Sequence, residues 1–130
     1  MRHIHGTPCG GPRQDAARFL MGRDALVPFP RPDDMGIVAE VCRSFVLDNG
    51  AFSVWKRGEL LDVAGFTRWA EEWCRHPAFE WALIPDTITG TEADNDALLR
   101  DWPRHSSSHV PVTPLRCSKS GTASAACCAT

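Results

Sequence analysis

A chain of 130 residues with 43% hydrophobic and 23% charged residues suits one small domain, which would bury roughly two thirds of the surface its unfolded form exposes. The formal net charge of -2 offers no basic excess to hold nucleic acid along the whole chain, so any such contact would be local. The start, Met1-Arg-His-Ile-His, has no apolar segment suited to a signal peptide, and no run approaches the roughly 18 apolar residues of a membrane helix; the expected setting is cytoplasmic, with no membrane partner.

In chain order, His3-Ile4-His5 predicts a short strand, followed by a Gly-rich turn and a helix. Pro12 stands at the first helical position, Ala16, Ala17, Phe19 and Leu20 form the apolar face, and Gly22 supplies the stop. Ala25 to Pro28 reads as a second strand. Asp33 or Asp34 then caps a helix carrying Met35, Ile37, Val38, Val41 and Cys42. A third strand runs over Phe45 to Leu47.

Asp62 can cap a helix whose apolar face, Val63, Phe66, Trp69, Ala70, Trp73 and Cys74, follows i, i+3, i+4 spacing and ends before Pro77. Trp81 to Ile84 forms the fourth strand. Thr91 opens a helix that runs through Asp101 and halts before Pro103, and His109 to Val112 begins a fifth strand. Alternating strands and helices predict an α/β fold with a parallel sheet and right-handed crossovers, either doubly wound or part of a (β/α) barrel.

The character changes near residue 105. No Asp or Glu follows Asp101, and the last residues are small, polar and without periodicity. The expected organisation is a domain over 1–112 and a disordered or out-of-frame tail over 113–130, as a changed reading frame near residue 113 would produce. Six cysteines, at 9, 42, 74, 117, 127 and 128, show no Cys-x-x-Cys pair and read as free thiols, with Cys42 and Cys74 on apolar helix faces.

Two strands end on a carboxylate. Ser44-Phe-Val-Leu-Asp48 runs into Asn49-Gly50, residues that tolerate positive φ, and Trp81-Ala-Leu-Ile-Pro85 runs into Asp86. Asp48-Asn49-Gly50 also fits the turn of a hairpin. A strand-to-helix loop would instead deliver Asp48 to the strand end where α/β sites are built. Asp86 has a similar bland alternative as a turn or cap.

Other candidates are local. His3 and His5 lie on one strand face and can offer two metal ligands, the basis of a metal-dependent hydrolase alternative. The loop from Gly6 to Gly11 can turn backbone N–H groups toward a phosphate, with Arg13 as the nearest cation. Trp55, beside Lys56 and Arg57, can stack a base, whereas Trp69 and Trp73 belong to the core.

Asp48-Asn49-Gly50-Ala51-Phe52-Ser53, with Ile84-Pro85-Asp86 and repeated βα units around them, resembles the tRNA-guanine transglycosylase family and its deazapurine DNA-modifying relatives. The family motif is Asp-Ser-Gly-Gly-Phe-Gln; Asp48, Gly50 and Phe52 match it, while Asn49, Ala51 and Ser53 depart. The resemblance, over residues 3 to 112, implies an incomplete TIM-type barrel related to enzymes that exchange guanine for a 7-deazaguanine in tRNA or DNA. It implies an acid, base or base-positioning role for Asp48, a purine-reading carboxylate at Asp86 and a place near the purine for Phe52; with the local readings, the expected catalytic residues are Asp48 and Asp86 and the expected substrate-binding residues Asn49, Gly50, Phe52, Arg13 and Trp55.

In that family a nucleophilic Asp and a Cys-x-Cys-x-x-Cys plus His zinc site come from later strands. Neither motif follows Asp86 here. The expectation is therefore a truncated protein, inactive alone, with no cofactor and with zinc only in a full-length relative. Its expected partners are a purine base or nucleic acid, and further copies of itself through open sheet edges. The non-catalytic alternative is a nucleotide- or partner-binding module using the Gly-rich loop and Trp55.

Overall fold

The computed structural model describes residues 1–7, 13–105 and 112–113, with backbone alone at 13, 14, 16, 17, 103–105, 112 and 113. The strands are β1 (Ile4–Gly6), β2 (Asp24–Pro28), β3 (Ser44–Asp48), β4 (Phe79–Leu83) and β5 (Val112–Thr113). Between them run α1 (Arg13–Leu20), α2 (Met35–Val41), α3 (Ala51–Lys56), α4 (Val63–Trp73) and α5 (Glu92–His105). All strand pairs are parallel and the spatial order follows the chain, β1-β2-β3-β4-β5. The chain is an α/β protein built from alternating strands and helices around one parallel sheet.

Register divides the strand side chains between two faces. Ala25 pairs with Phe45 and Val27 with Leu47, which in turn pairs with Ala82. These five join Leu20, Met35, Val38, Phe66, Trp69, Ala70, Ile84 and Trp102 in the core. Helices α1, α2, α4 and α5 thus all contribute to one face. Phe45 sits at its centre, ringed by Trp73, His76 and Phe79 at 5.4–6.1 Å between centroids. Burial of a Phe of this kind contributes about 3 kcal/mol.

The opposite face carries Asp24, Ser44 and Glu80 toward the strand starts, then Leu26, Val46 and Trp81, then Asp48 and Leu83 toward the strand ends. A register shift between Phe45 and Val46 sets Val46 against Trp81. It leaves Glu80 as the extra residue on β4. The Arg2 guanidinium bridges β2, β3 and β4 at this end. Its Nε donates to Asp24 Oδ2 at 2.7 Å, Nη2 to Ser44 Oγ at 2.6 Å, and Nη1 to Glu80 Oε2 at 2.7 Å. Arg43 donates to both oxygens of Asp24, at 3.0 and 2.6 Å. Asp24 is buried, so these cations and the Ser44 hydroxyl hold its carboxyl well below the usual range. The stability it contributes is fully present above the ordinary carboxylate range and is lost progressively as pH falls below it.

Helix boundaries follow from caps. Asp62 Oδ1 accepts from Gly65 N at 2.8 Å and starts α4 where its sequence pattern predicts. Three boundaries differ from expectation. A short 3₁₀ turn, Pro32–Asp34, leads into α2, and Met35 N donates to Pro32 O, so the backbone replaces the expected side-chain cap at Asp33 or Asp34. Helix α3, which the pattern did not predict, starts directly after Gly50. Helix α5 passes Pro103 and ends at His105, because proline's fixed φ is itself helical and near a helix end costs one bond.

No helix of the described residues is long and apolar enough to cross a membrane. Residues 114–130, with Cys117, Cys127 and Cys128, and residues 8–12 of the Gly-rich loop, with Cys9, lie outside the described residues. Cys42 and Cys74 are partly buried and pack against the core.

Candidate functional site at the strand ends

The carboxyl ends of β2, β3 and β4 are tied to one another by the residues that follow them. Phe29 N donates to Asp48 O at 2.8 Å, which fastens the end of β2 to that of β3. Asn49, almost fully buried, turns its amide inward: Nδ2 donates to Ile84 O at 2.8 Å and to Asp86 Oδ1 at 3.1 Å. The same side chain accepts from Ala51 N at 2.8 Å through Oδ1, giving α3 its first capped N–H. One amide therefore joins β3, β4 and α3.

Gly50 makes the turn possible. Its φ of 72° lies in the left-handed region, and a Cβ there would stand 2.3 Å from Pro30 Cδ. No side chain fits between this turn and Pro30 without displacement. Asp48 thus belongs to a strand-to-helix loop and not to a hairpin, since β3 and β4 are parallel and α3 begins at Ala51.

Asp48 is half-buried at the last position of β3. Burial pushes its carboxyl above the ordinary range, the Gly50 and Asn49 N–H groups pull it back, and the nearby charge of Asp86 raises it further. Asp86 follows β4 by three residues and is held by Asn49. The result is two neighbouring carboxyls of unequal surroundings, one shielded from water and one accepting an amide N–H. Such a pair can present a proton donor and an acceptor side by side.

Beyond Asp86 an open depression of about 420 Å³ is lined by Thr87, Thr89, Gly90, Asp94 and Leu98 among others. Its loop is well anchored. Asn95 Oδ1 accepts from Thr87 N at 2.7 Å, and Asp94 Oδ2 accepts from both Thr91 N and Thr91 Oγ1 at 2.8 Å. Those bonds hold the Asp94 carboxyl below its usual range. Sequence reasoning missed this groove; the hydroxyls and carboxylates clustered between residues 87 and 101 were the available signal.

The remaining candidates fall elsewhere. Phe52 and Trp55 stand one turn apart on the exposed side of α3, with centroids 5.7 Å apart. Arg13 opens α1, and its side chain lies outside the described residues. His3 precedes β1 and is exposed, whereas the His5 ring meets Phe19 edge-on at 5.1 Å. By register His5 sits level with Ala25 on the helix-covered face, away from Asp48. Among the described residues no group of three or more His, Cys, Asp or Glu side chains is placed to hold a metal ion.

No family model, curated protein or solved structure matches the chain.

Proposed function

We propose that the chain binds a purine base at the carboxyl ends of β3 and β4, as part of a TIM-type barrel of the transglycosylase kind. The observation that carries this reading is the Asn49 amide, which draws Asp86 to the end of the strand that bears Asp48. Two carboxyls so placed suit the guanine edge, where N1–H and the exocyclic amine are donors and O6 is an acceptor. Asp86 accepts from the donors, and Asp48, raised by burial, offers a proton or accepts in turn. Adenine lacks the N1–H and would be refused.

The barrel part of the proposal rests on sheet order. Sequential parallel strands with α1, α2, α4 and α5 all feeding one core suit the winding of a (β/α) barrel, whereas a doubly wound sheet needs helices on both faces. In the transglycosylase reading Asp48 is the acid, base or positioning group, and Asp86 reads the purine edge. The nucleophile that would attack sugar C1′ comes from another strand in such enzymes, so this chain alone binds and does not exchange bases. No cofactor is called for, and the setting proposed is cytoplasmic.

Isothermal titration with guanine and adenine tests the reading. Guanine is expected to bind the wild-type chain, and Asp48→Ala and Asp86→Ala are each expected to lose about tenfold in affinity, about 1.4 kcal/mol. Equal affinity for guanine in all three proteins would overturn it.

A second reading keeps binding and drops base exchange. The exposed Phe52 and Trp55 rings, next to Lys56, offer a stacking platform to a nucleotide or a partner. Titration with single-stranded DNA, followed by tryptophan fluorescence, distinguishes it: quenching that Phe52→Ser and Trp55→Ser both abolish supports this reading, and no quenching removes it.

A further inference from the structure

The turn that carries Asp48 is built from a chemically fragile pair, Asn49-Gly50. In such a pair the glycine nitrogen can attack the asparagine side-chain amide, because glycine has no Cβ to hinder the approach and its backbone turns freely. The fold depends on both residues. Gly50 is required by its φ of 72° and by the 2.3 Å contact that a Cβ would make with Pro30 Cδ. Asn49 is required by its bonds to Ile84, Asp86 and Ala51. The geometry that sets the strand ends therefore installs the reactive pair.

In the folded chain each reacting group is engaged elsewhere. Asn49 Oδ1 accepts from Ala51 N at 2.8 Å, while Nδ2 donates to Ile84 O at 2.8 Å and to Asp86 Oδ1 at 3.1 Å. The Gly50 N–H bonds to the Asp48 carboxyl. Only 2% of Asn49 is exposed, which keeps bulk water from the amide. Swinging the amide carbon onto the Gly50 nitrogen would give up all these bonds together, at a buried site.

We propose that Asn49 is a deamidation site guarded by the fold, which converts when the ends of β3 and β4 open and whose product keeps them from closing again. On opening, the Gly50 nitrogen loses its proton to solvent base and bonds to Asn49 Cγ. The Cγ–Nδ2 bond breaks, and the nitrogen leaves as ammonia with a proton from water. Water then opens the succinimide ring. Attack at the side-chain carbonyl gives aspartate, and attack at the main-chain carbonyl gives an isoaspartyl linkage. An amide and a water become a carboxylate and an ammonium ion.

Neither ionised product restores the bridge. Aspartate at this position turns acceptors toward Ile84 O and Asp86 Oδ1, where the amide had supplied a donor, and adds a third carboxylate beside Asp48 and Asp86. The isoaspartyl form also lengthens the backbone within the turn that packs on Pro30. The modification is one-way, and it retires the strand-end site whatever ligand that site binds.

Peptide mapping by mass spectrometry tests the proposal on the full chain, held at neutral pH and physiological temperature in buffer and in urea. The tryptic peptide 44–56 carries Asn49; peptide 76–100 carries Asn95, which precedes Asp96 and serves as the reference. In urea, 44–56 is expected to exchange the mass of NH2 for that of OH faster than 76–100 does. In buffer its conversion is expected to be slower by about tenfold or more, as a reaction confined to the open state requires. Equal rates in buffer and urea would overturn the proposal, as would a 44–56 peptide that stays unconverted in urea. The one-way step is read separately. Asn49→Asp is expected to melt below wild type, and an unchanged melting temperature contradicts it. Should that variant fail to fold, wild-type chain kept in urea for increasing times and returned to buffer decides. The refolded fraction is expected to hold unconverted Asn49, and converted chains in that fraction overturn the claim.

Discussion

At the position of Asp48, a carboxyl is kept where ionisation is disfavoured, by burial first and by Asp86 second. Folded Asp48 therefore holds its proton to higher pH than the unfolded chain does. Stability falls as pH rises through that window and stays lowered above it. Asp48→Asn keeps an oxygen for the Gly50 and Asn49 N–H groups and removes the charge. The variant is expected to melt higher than wild type at neutral pH, with the difference vanishing in acid, in thermal scans at a series of pH values. A variant that melts lower at neutral pH would mean that the charge is stabilising. A residue that weakens its own fold in this way is more readily understood as retained for binding than for packing.

Asn49 and Gly50 show how much of this was legible. The sequence reading placed both at a turn and gave both to the substrate. The structure uses Gly50 for its positive φ against Pro30 and spends both ends of the Asn49 amide inside the protein. They position Asp48 and Asp86, and Asn49 has little left to offer a ligand. Nothing in a single sequence distinguishes an Asn that points outward from one that bridges two strands 35 residues apart.

Among the elements, α4 was readable because local and tertiary signals agree. Its apolar positions repeat at helical spacing, and Asp62 stands where a cap is needed. Asp62→Ala is expected to cost about 1 kcal/mol, lowering the melting temperature by about 3–5 °C without altering guanine binding. No change in melting would show that neighbouring backbone groups satisfy Gly65 N–H unaided. Helix α3 was missed for the converse reason: its six residues are too few for periodicity, and its start depends on the Asn49 cap and the Gly50 conformation. The spacing of Ala51 and Val54, both buried, was the one faint sign. The bulge that places Glu80 beside Arg2 also escaped, since it arises from pairing between strands and not from either strand's own pattern.

Considering the molecule as a whole, alternation of strands and helices foretold a parallel sheet but left open which face the helices would take. Strand order decides that, and order is fixed by contacts distant in sequence. The sequential, all-parallel strands give the sheet a clear polarity. Its starting ends are closed by the Arg2, Asp24, Arg43 and Glu80 network, and its finishing ends carry Asp48 and Asp86. In α/β proteins the first kind of end serves stability and the second serves chemistry. The same polarity underlies the proposal of a purine at the strand ends.

The central claim, that Asp48 and Asp86 together receive a guanine edge, is tested most directly by carbon-detected NMR of aspartate side-chain carboxyls, recorded through a pH titration with guanine, with adenine and without ligand. The expected result is a titration midpoint for Asp48 above the ordinary carboxylate range, and a displacement of both the Asp48 and Asp86 signals by guanine but not by adenine. Signals that ignore guanine while the rest of the spectrum reports a folded protein would contradict it.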